Sequence, residues 1–214
     1  AKRILNHIPE DYDLLVIPAA YGGTGFTTGK GNGQYDAATK KPSDAIYDWG
    51  LQSAYYLALK ARLEHALELN PLNYFIGMIW CQGEMDSAKY TEQPALFQAM
   101  ADDFIQHFNG NYKDRVKGGE WSKKQWFIYE TVPHWTNQAS LKHIWDQYKA
   151  WNQAGYVALN FGNTPDEYTN KVGGATIRTP QSTSSTQQSH FGNGAYERLV
   201  APAVYAKMLE NNIL

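Results

Sequence analysis

Gln82, Gly83, Glu84 and Asp86 arrive directly after an apolar run at residues 74–80. The run reads as a buried strand. In an open α/β sheet, ligands bind beyond the carboxyl ends of the strands, so an amide, a flexible glycine and two carboxylates at that place read as chemistry. A second polar group, Ser189-His190-Phe191, lies near the other end of the chain, and Gly22-Gly23 follows another apolar run at residues 13–20. Together these suggest a hydrolase, and an ester-hydrolysing site is one that such groups could serve. Such a site needs an activated nucleophile, a base working near neutral pH, and donors aimed at the oxyanion that forms on the attacked carbonyl. An unperturbed histidine titrates near 6.5 and suits the base. The Gln82 amide can donate N–H to an oxyanion. Glycines after a strand expose backbone N–H groups with no side chain in the way.

Each residue also has a plainer use. His190 can neighbour the N-cap of a final helix, and Gln82 can bond backbone at a strand end. Glu84 and Asp86 can cap the turn into the next helix, and Gly22 and Gly23 can serve only a turn. His134, with Trp135 after a third strand, can line a substrate cleft or simply pack. Glu130, His134 and His143 match no metal-binding spacing, so no metal is expected. Gly22-Gly23-Thr24-Gly25 lacks the Gly-Lys-Ser/Thr of a phosphate loop.

The elements that must carry these groups alternate. Residues 2–8 read as the end of a helix closed by Pro9. A strand is expected at 13–20 and a polar surface loop at 27–47. Helices follow at 49–69, with Leu51, Tyr55, Leu59, Leu63 and Leu67 on one stripe, and at 93–108, with Leu96, Met100, Phe104 and Phe108 on another. Further strands are expected at 74–80, 125–131 and 156–160, and further helices at 137–153 and 193–210. Residues 162–189 form a polar insert, with a Ser/Thr/Gln stretch at 181–188. Strands alternating with helices predict a three-layer α/β domain with a parallel sheet. The whole chain, 1–214, is read as that single domain.

The formal net charge of −2 gives no general attraction to nucleic acid or to an anionic membrane, and no run approaches the roughly 18 apolar residues of a membrane span. Cys81 is the one cysteine, which rules out an internal disulfide. The abundant aromatics (7 Trp, 15 Tyr and 8 Phe) suit sugar faces as well as cores.

The segments Ala19-Ala20-Tyr21-Gly22-Gly23-Thr24, Trp80-Cys81-Gln82-Gly83-Glu84-Met85-Asp86 and His190-Phe191 resemble, in that order, the motifs of the SGNH-hydrolase superfamily. The middle segment is similar to that of its carbohydrate acetylesterase and sialate O-acetylesterase-like branch. The resemblance implies a flavodoxin-like fold of five parallel strands with helices on both faces. It implies a serine-type carbohydrate O-acetylesterase that needs no cofactor and takes an O-acetylated carbohydrate as substrate; a secreted or virion-associated location fits such a protein. Position by position, His190 matches the base, Gln82 the side-chain oxyanion donor, and either Gly22 or Gly23 the backbone donor. Glu84 and Asp86 match the acidic positions that hold the site together.

Two positions depart from that pattern. The nucleophile of the superfamily stands in a Gly-x-Ser motif after the first strand, and Ser43, Ser53, Ser87, Ser122 and Ser140 have no such strand–turn–helix setting. The first strand and its serine are therefore expected upstream of Ala1, these residues being an N-terminally truncated piece. Gln187 stands where the superfamily has the Asp that orients the histidine; another carboxylate, Asp166 or Glu167 among them, or a backbone carbonyl would have to take that part. An inactive glycan-binding module on the same fold is the alternative expectation.

Overall fold

A computed structural model of the chain describes residues 2–20, 22–26, 35–36, 41–42, 49–131, 135, 138–151, 157–159 and 196–214. The chain divides into two compact units. One comprises Ala1–Leu14, Gly77–Cys81 and Lys124–Leu214, and the other Leu15–Ile76 and Gln82–Lys123.

The first unit holds a small parallel sheet. Its strands, β3 (Met78–Trp80), β4 (Trp126–Tyr129) and β5 (Val157–Leu159), lie in the order β3-β4-β5. Met78 aligns with Trp126 and Trp80 with Ile128; Phe127 aligns with Val157 and Tyr129 with Leu159. Trp126, Phe127 and Ile128 are all buried, the uninterrupted apolar run expected of a parallel strand covered on both faces. Helices α4 (Ala139–Trp151) and α5 (Ala201–Glu210) pack on β5. They bring Leu141, Ile144, Trp145, Tyr148, Val204 and Met208 into the core. A π-helical turn, Tyr196–Val200, leads into α5, where Pro202 suits the first turn because its missing N–H has no intrahelical partner there. The short α1 (Lys2–Leu5) rests on α5, and His7 meets the Tyr205 hydroxyl. Gly77 lets β3 begin close to its neighbours: a Cβ there would lie 3.0 Å from the Phe127 ring, 3.3 Å from the Gln125 carbonyl oxygen and 3.4 Å from Met208.

The second unit is built on two helices, α2 (Ala54–Leu69) and α3 (Gln93–Asn111), with a two-residue antiparallel pairing of β1 (Tyr35–Asp36) and β2 (Lys41–Pro42). Tyr56, Leu59, Leu63 and Leu67 of α2 and Phe97, Met100, Phe104 and Phe108 of α3 are buried. The Tyr56 hydroxyl and the Lys60 ammonium, the latter at 3.1 Å, both bond the Asp103 carboxylate. Trp121 stacks on Phe75 and Phe108, with ring centroids 4.9 and 4.7 Å away. Arg115 closes α2: its guanidinium donates to the carbonyls of Leu67 and Asn70 at 2.6 Å and of Asn73 at 2.7 Å, satisfying acceptors that the end of a helix leaves open.

Several expectations need correction. Helix α2 starts at Ala54 rather than at residue 49, because Gly50 (φ 126°) and Gln52 (φ 65°) are not helical and Ser53 caps Tyr56 N–H at 3.2 Å. Leu51 is consequently outside the helix and exposed. On α3 the buried stripe runs through Phe97, not Leu96. Residues 13–20 carry no strand assignment. Leu15 and Val16 there are each 64% exposed. An apolar run can be a strand only when a neighbour accepts its ladder, and none of the described residues does so here.

Candidate functional site

The stretch from Met78 to Asp86 changes unit between Cys81 and Gln82. Trp80 and Cys81 belong with the sheet. Trp80 packs against Trp126, with centroids 6.2 Å apart. Cys81 and Tyr196 neighbour the half-buried Tyr129, whose hydroxyl is pushed far above the ordinary phenol range by burial first and by those two groups second. Gln82, Gly83, Glu84 and Asp86 belong with the helical unit.

There the residues form one connected network. Gly83, with φ 141°, makes a backbone bend that a side chain would strain. From it the chain enters a 3₁₀ turn, Glu84–Lys89. That turn drives Asp86 inward until it is fully buried. Its Oδ1 accepts the Phe26 backbone N–H at 2.8 Å, and its Oδ2 accepts from Gln82 Nε2. Gln82 Nε2 also faces the Thr24 carbonyl at 3.4 Å, and Gln82 Oε1 accepts from Gln93 Nε2 at 2.8 Å. The Thr24 hydroxyl, 3.1 Å from Trp49 Nε1, accepts the indole N–H, and the Gly25 carbonyl accepts the Trp49 N–H at 2.7 Å. The glycine-rich turn at 22–26 and the turn after Gln82 are thus tied through a single buried carboxylate. A buried charge is tolerated when it is hydrogen-bonded on both oxygens, as here.

Glu84 plays a different part. It is half-buried, and this enclosure pushes its carboxyl upward; a bond from its own backbone N–H opposes the shift, and the nearby Asp86 charge adds to it. Two acidic positions two residues apart therefore have separate environments: Asp86 bonds the turn, and Glu84 is biased toward its neutral form.

Gly22 and Gly23 are exposed, and a Cβ at either would meet nothing within 4 Å. Of the pair, Gly23 carries the positive φ, 75°. His190 and His134 lie outside the described residues, as do Gln187, Asp166 and Glu167, so of the expected site Gln82, Gly22, Gly23, Glu84 and Asp86 are the members whose geometry is seen.

Two members were not expected. Gly25 admits Asp86 because it has no side chain: a Cβ there would stand 2.5 Å from Asp86 Oδ1, 3.0 Å from Cγ and 3.1 Å from Oδ2. Alanine at position 25 is expected to lower unfolding free energy by about 2–4 kcal/mol, through overpacking and loss of the Phe26 bond. Urea denaturation of Gly25→Ala beside the parent protein measures this; equal midpoints and slopes would mean the carboxylate moves aside without cost. Gln93 is fully buried although polar. Its sequence signal was its position on the apolar stripe, four residues before Phe97 and seven before Met100.

No protein-family model matches the sequence. Over 229 aligned residues the chain is 26% identical to the "Probable 9-O-acetyl-N-acetylneuraminic acid deacetylase" of Escherichia coli (strain K12), an alignment that covers 98% of this chain and 68% of that protein. Among solved structures, the "Crystal structure of NanS" matches with a TM-score of 0.79 at 24% identity, again covering 98% of this chain and 68% of that one. The chain thus combines helices with a small parallel sheet in the fold of that crystal structure, and it has a sialate O-acetylesterase-like relative along nearly its whole length.

Proposed function

We propose that this chain is the greater part of a serine-type carbohydrate O-acetylesterase of the SGNH kind, in which both units act as one domain and an acetylated sialic acid is the substrate. The observation that carries the reading is the alignment with a protein named as a 9-O-acetyl-N-acetylneuraminic acid deacetylase over 98% of the chain. The hydrogen-bonded Gln82 amide supports it, since an oxyanion donor must be held before the charge develops.

In this reading the nucleophilic serine follows a strand upstream of Ala1. Strand β3 lies at an edge of the described sheet, and such a strand would pair there. The serine Oγ attacks the acetyl carbonyl and its proton passes to His190. The oxyanion accepts from the Gln82 amide, the serine N–H and the N–H of Gly22 or Gly23. Collapse of the tetrahedral intermediate breaks the bond to the sugar oxygen, which takes the proton from His190. Water, deprotonated by His190, then releases acetate from the acyl-enzyme and restores the serine. No step requires a metal or a cofactor.

The test is acetate release from 9-O-acetyl-N-acetylneuraminic acid by a protein extended upstream of Ala1, with a fluorophosphonate probe reporting the serine. Turnover together with probe labelling is expected. The absence of both turnover and labelling would overturn the reading. Binding of the acetylated sialoside without turnover would support the second reading, an inactive glycan-binding module, which Gln187 in place of the orienting Asp favours.

A further inference from the structure

Among the described residues, a single side chain holds the Gln82 amide from its carbonyl side. A glutamine amide has two ends of nearly equal shape and opposite hydrogen-bonding character. If it is turned one way it offers N–H to an oxyanion; turned the other way it offers a lone pair, which repels one. Asp86 Oδ2 accepts from the nitrogen end, and Gln93 Nε2 donates to the oxygen end at 2.8 Å. The two contacts agree on one orientation. They also divide the work between the two amide hydrogens: one is directed at Asp86, while the other, among the described residues, meets the Thr24 carbonyl at 3.4 Å, the long limit of a hydrogen bond. The second hydrogen is weakly held and can be redirected to a developing charge.

Gln93 is well placed to fix this arrangement. It is the first residue of α3, a 19-residue helix, and Pro94 follows it in the first turn. Phe97, Met100 and Phe104 anchor the same stripe in the core and are fully buried, as is Gln93 itself. A side chain on such a base has little freedom to follow a turning partner.

We propose that Gln93 is a positioning residue that sets the orientation of the Gln82 amide and leaves one of its N–H groups available to the oxyanion. The proposal rests on the esterase reading for its catalytic consequence, and on geometry alone for the orientation.

The test uses the upstream-extended protein with Gln93→Met, which keeps length and removes the donor, and Gln93→Glu, which keeps length and donates only when protonated. Side-chain ¹⁵N resonances of Gln82, assigned by their loss in Gln82→Met, report the amide without reference to activity. Both variants are expected to shift those resonances and to lower kcat by about 10–10²-fold, below the about 10²–10³ seen when an oxyanion donor is removed outright. KM should stay within about twofold, because the ground-state ester makes little use of the donor. In Gln93→Glu the deficit should narrow as pH falls and the carboxyl regains its O–H, a pH dependence that damaged packing would not produce. Gln93→Glu carries the test should Gln93→Met fail to fold. Unmoved Gln82 resonances, or unchanged kcat in an active protein, would overturn the proposal. Shifted resonances in a protein that releases no acetate would uphold the positioning and reject the esterase reading.

Discussion

Replacing His190 with alanine is expected to lower kcat for acetate release by about 10⁴-fold or more, the scale of loss when the base of a Ser–His pair is removed. In the proposed mechanism one imidazole serves twice, taking the serine proton on attack and giving a proton to the departing sugar oxygen, so its removal would slow every step. KM should change little. Initial rates with 9-O-acetyl-N-acetylneuraminic acid, for protein extended upstream of Ala1, measure both. A loss below tenfold would remove His190 from the proposed role. The same assay on Gln187→Asp tells how the imidazole is oriented. If Gln187 is its partner, a carboxylate there should raise kcat, since an amide accepts the imidazole N–H without stabilising the positive charge. An unchanged rate would mean that another group already does so.

The second large effect is on stability. Asp86→Ala is expected to cost about 3–5 kcal/mol, because it strips an acceptor from the buried Phe26 N–H and from the half-buried Gln82 amide at once. It also empties space that Gly25 leaves only for that carboxylate. Thermal unfolding followed by circular dichroism should show a midpoint lower by about 6 °C or more. An unchanged midpoint would show that the turn at 22–26 is held by other contacts. The two substitutions should also be far from additive: with Asp86 already alanine, the methyl of Gly25→Ala has no carboxylate to strike, so the double variant should lose much less than the sum of the singles.

The helices were legible in the sequence because each displays a period, and the later strands because each is a short apolar run. Helices α2 and α3 repeat apolar residues every three or four positions, and β4 is a short unbroken apolar run. Boundaries were less legible. Trp49 and Leu51 continue the apolar pattern of α2 upstream, yet Gly50 and Gln52 take backbone angles that end the helix, and pattern alone does not register a φ of 65° at a glutamine. Residues 13–20 are as apolar as a strand needs to be, but pairing is a property of two segments and cannot be read from one.

The candidate site divides similarly. Gln82 and Asp86 stood out in the sequence by residue type and place. Their mutual contact did not, because it depends on the backbone bend at Gly83; nor did the need for Gly25, because a close approach across some sixty residues of sequence has no local signature. Gln93 could have been found as the one polar side chain on the stripe that continues through Phe97, Met100 and Phe104.

The Phe26 N–H donates to a side-chain carboxylate. Its exchange with solvent deuterium therefore reports the opening of that side-chain contact. That single amide acts as a clock for the tether between the two turns. A ligand that stiffens the turn at 22–26 would slow it while leaving the amides of α2 and α3 untouched, so the loop's response to a bound sugar can be timed apart from the stability of the core beneath it.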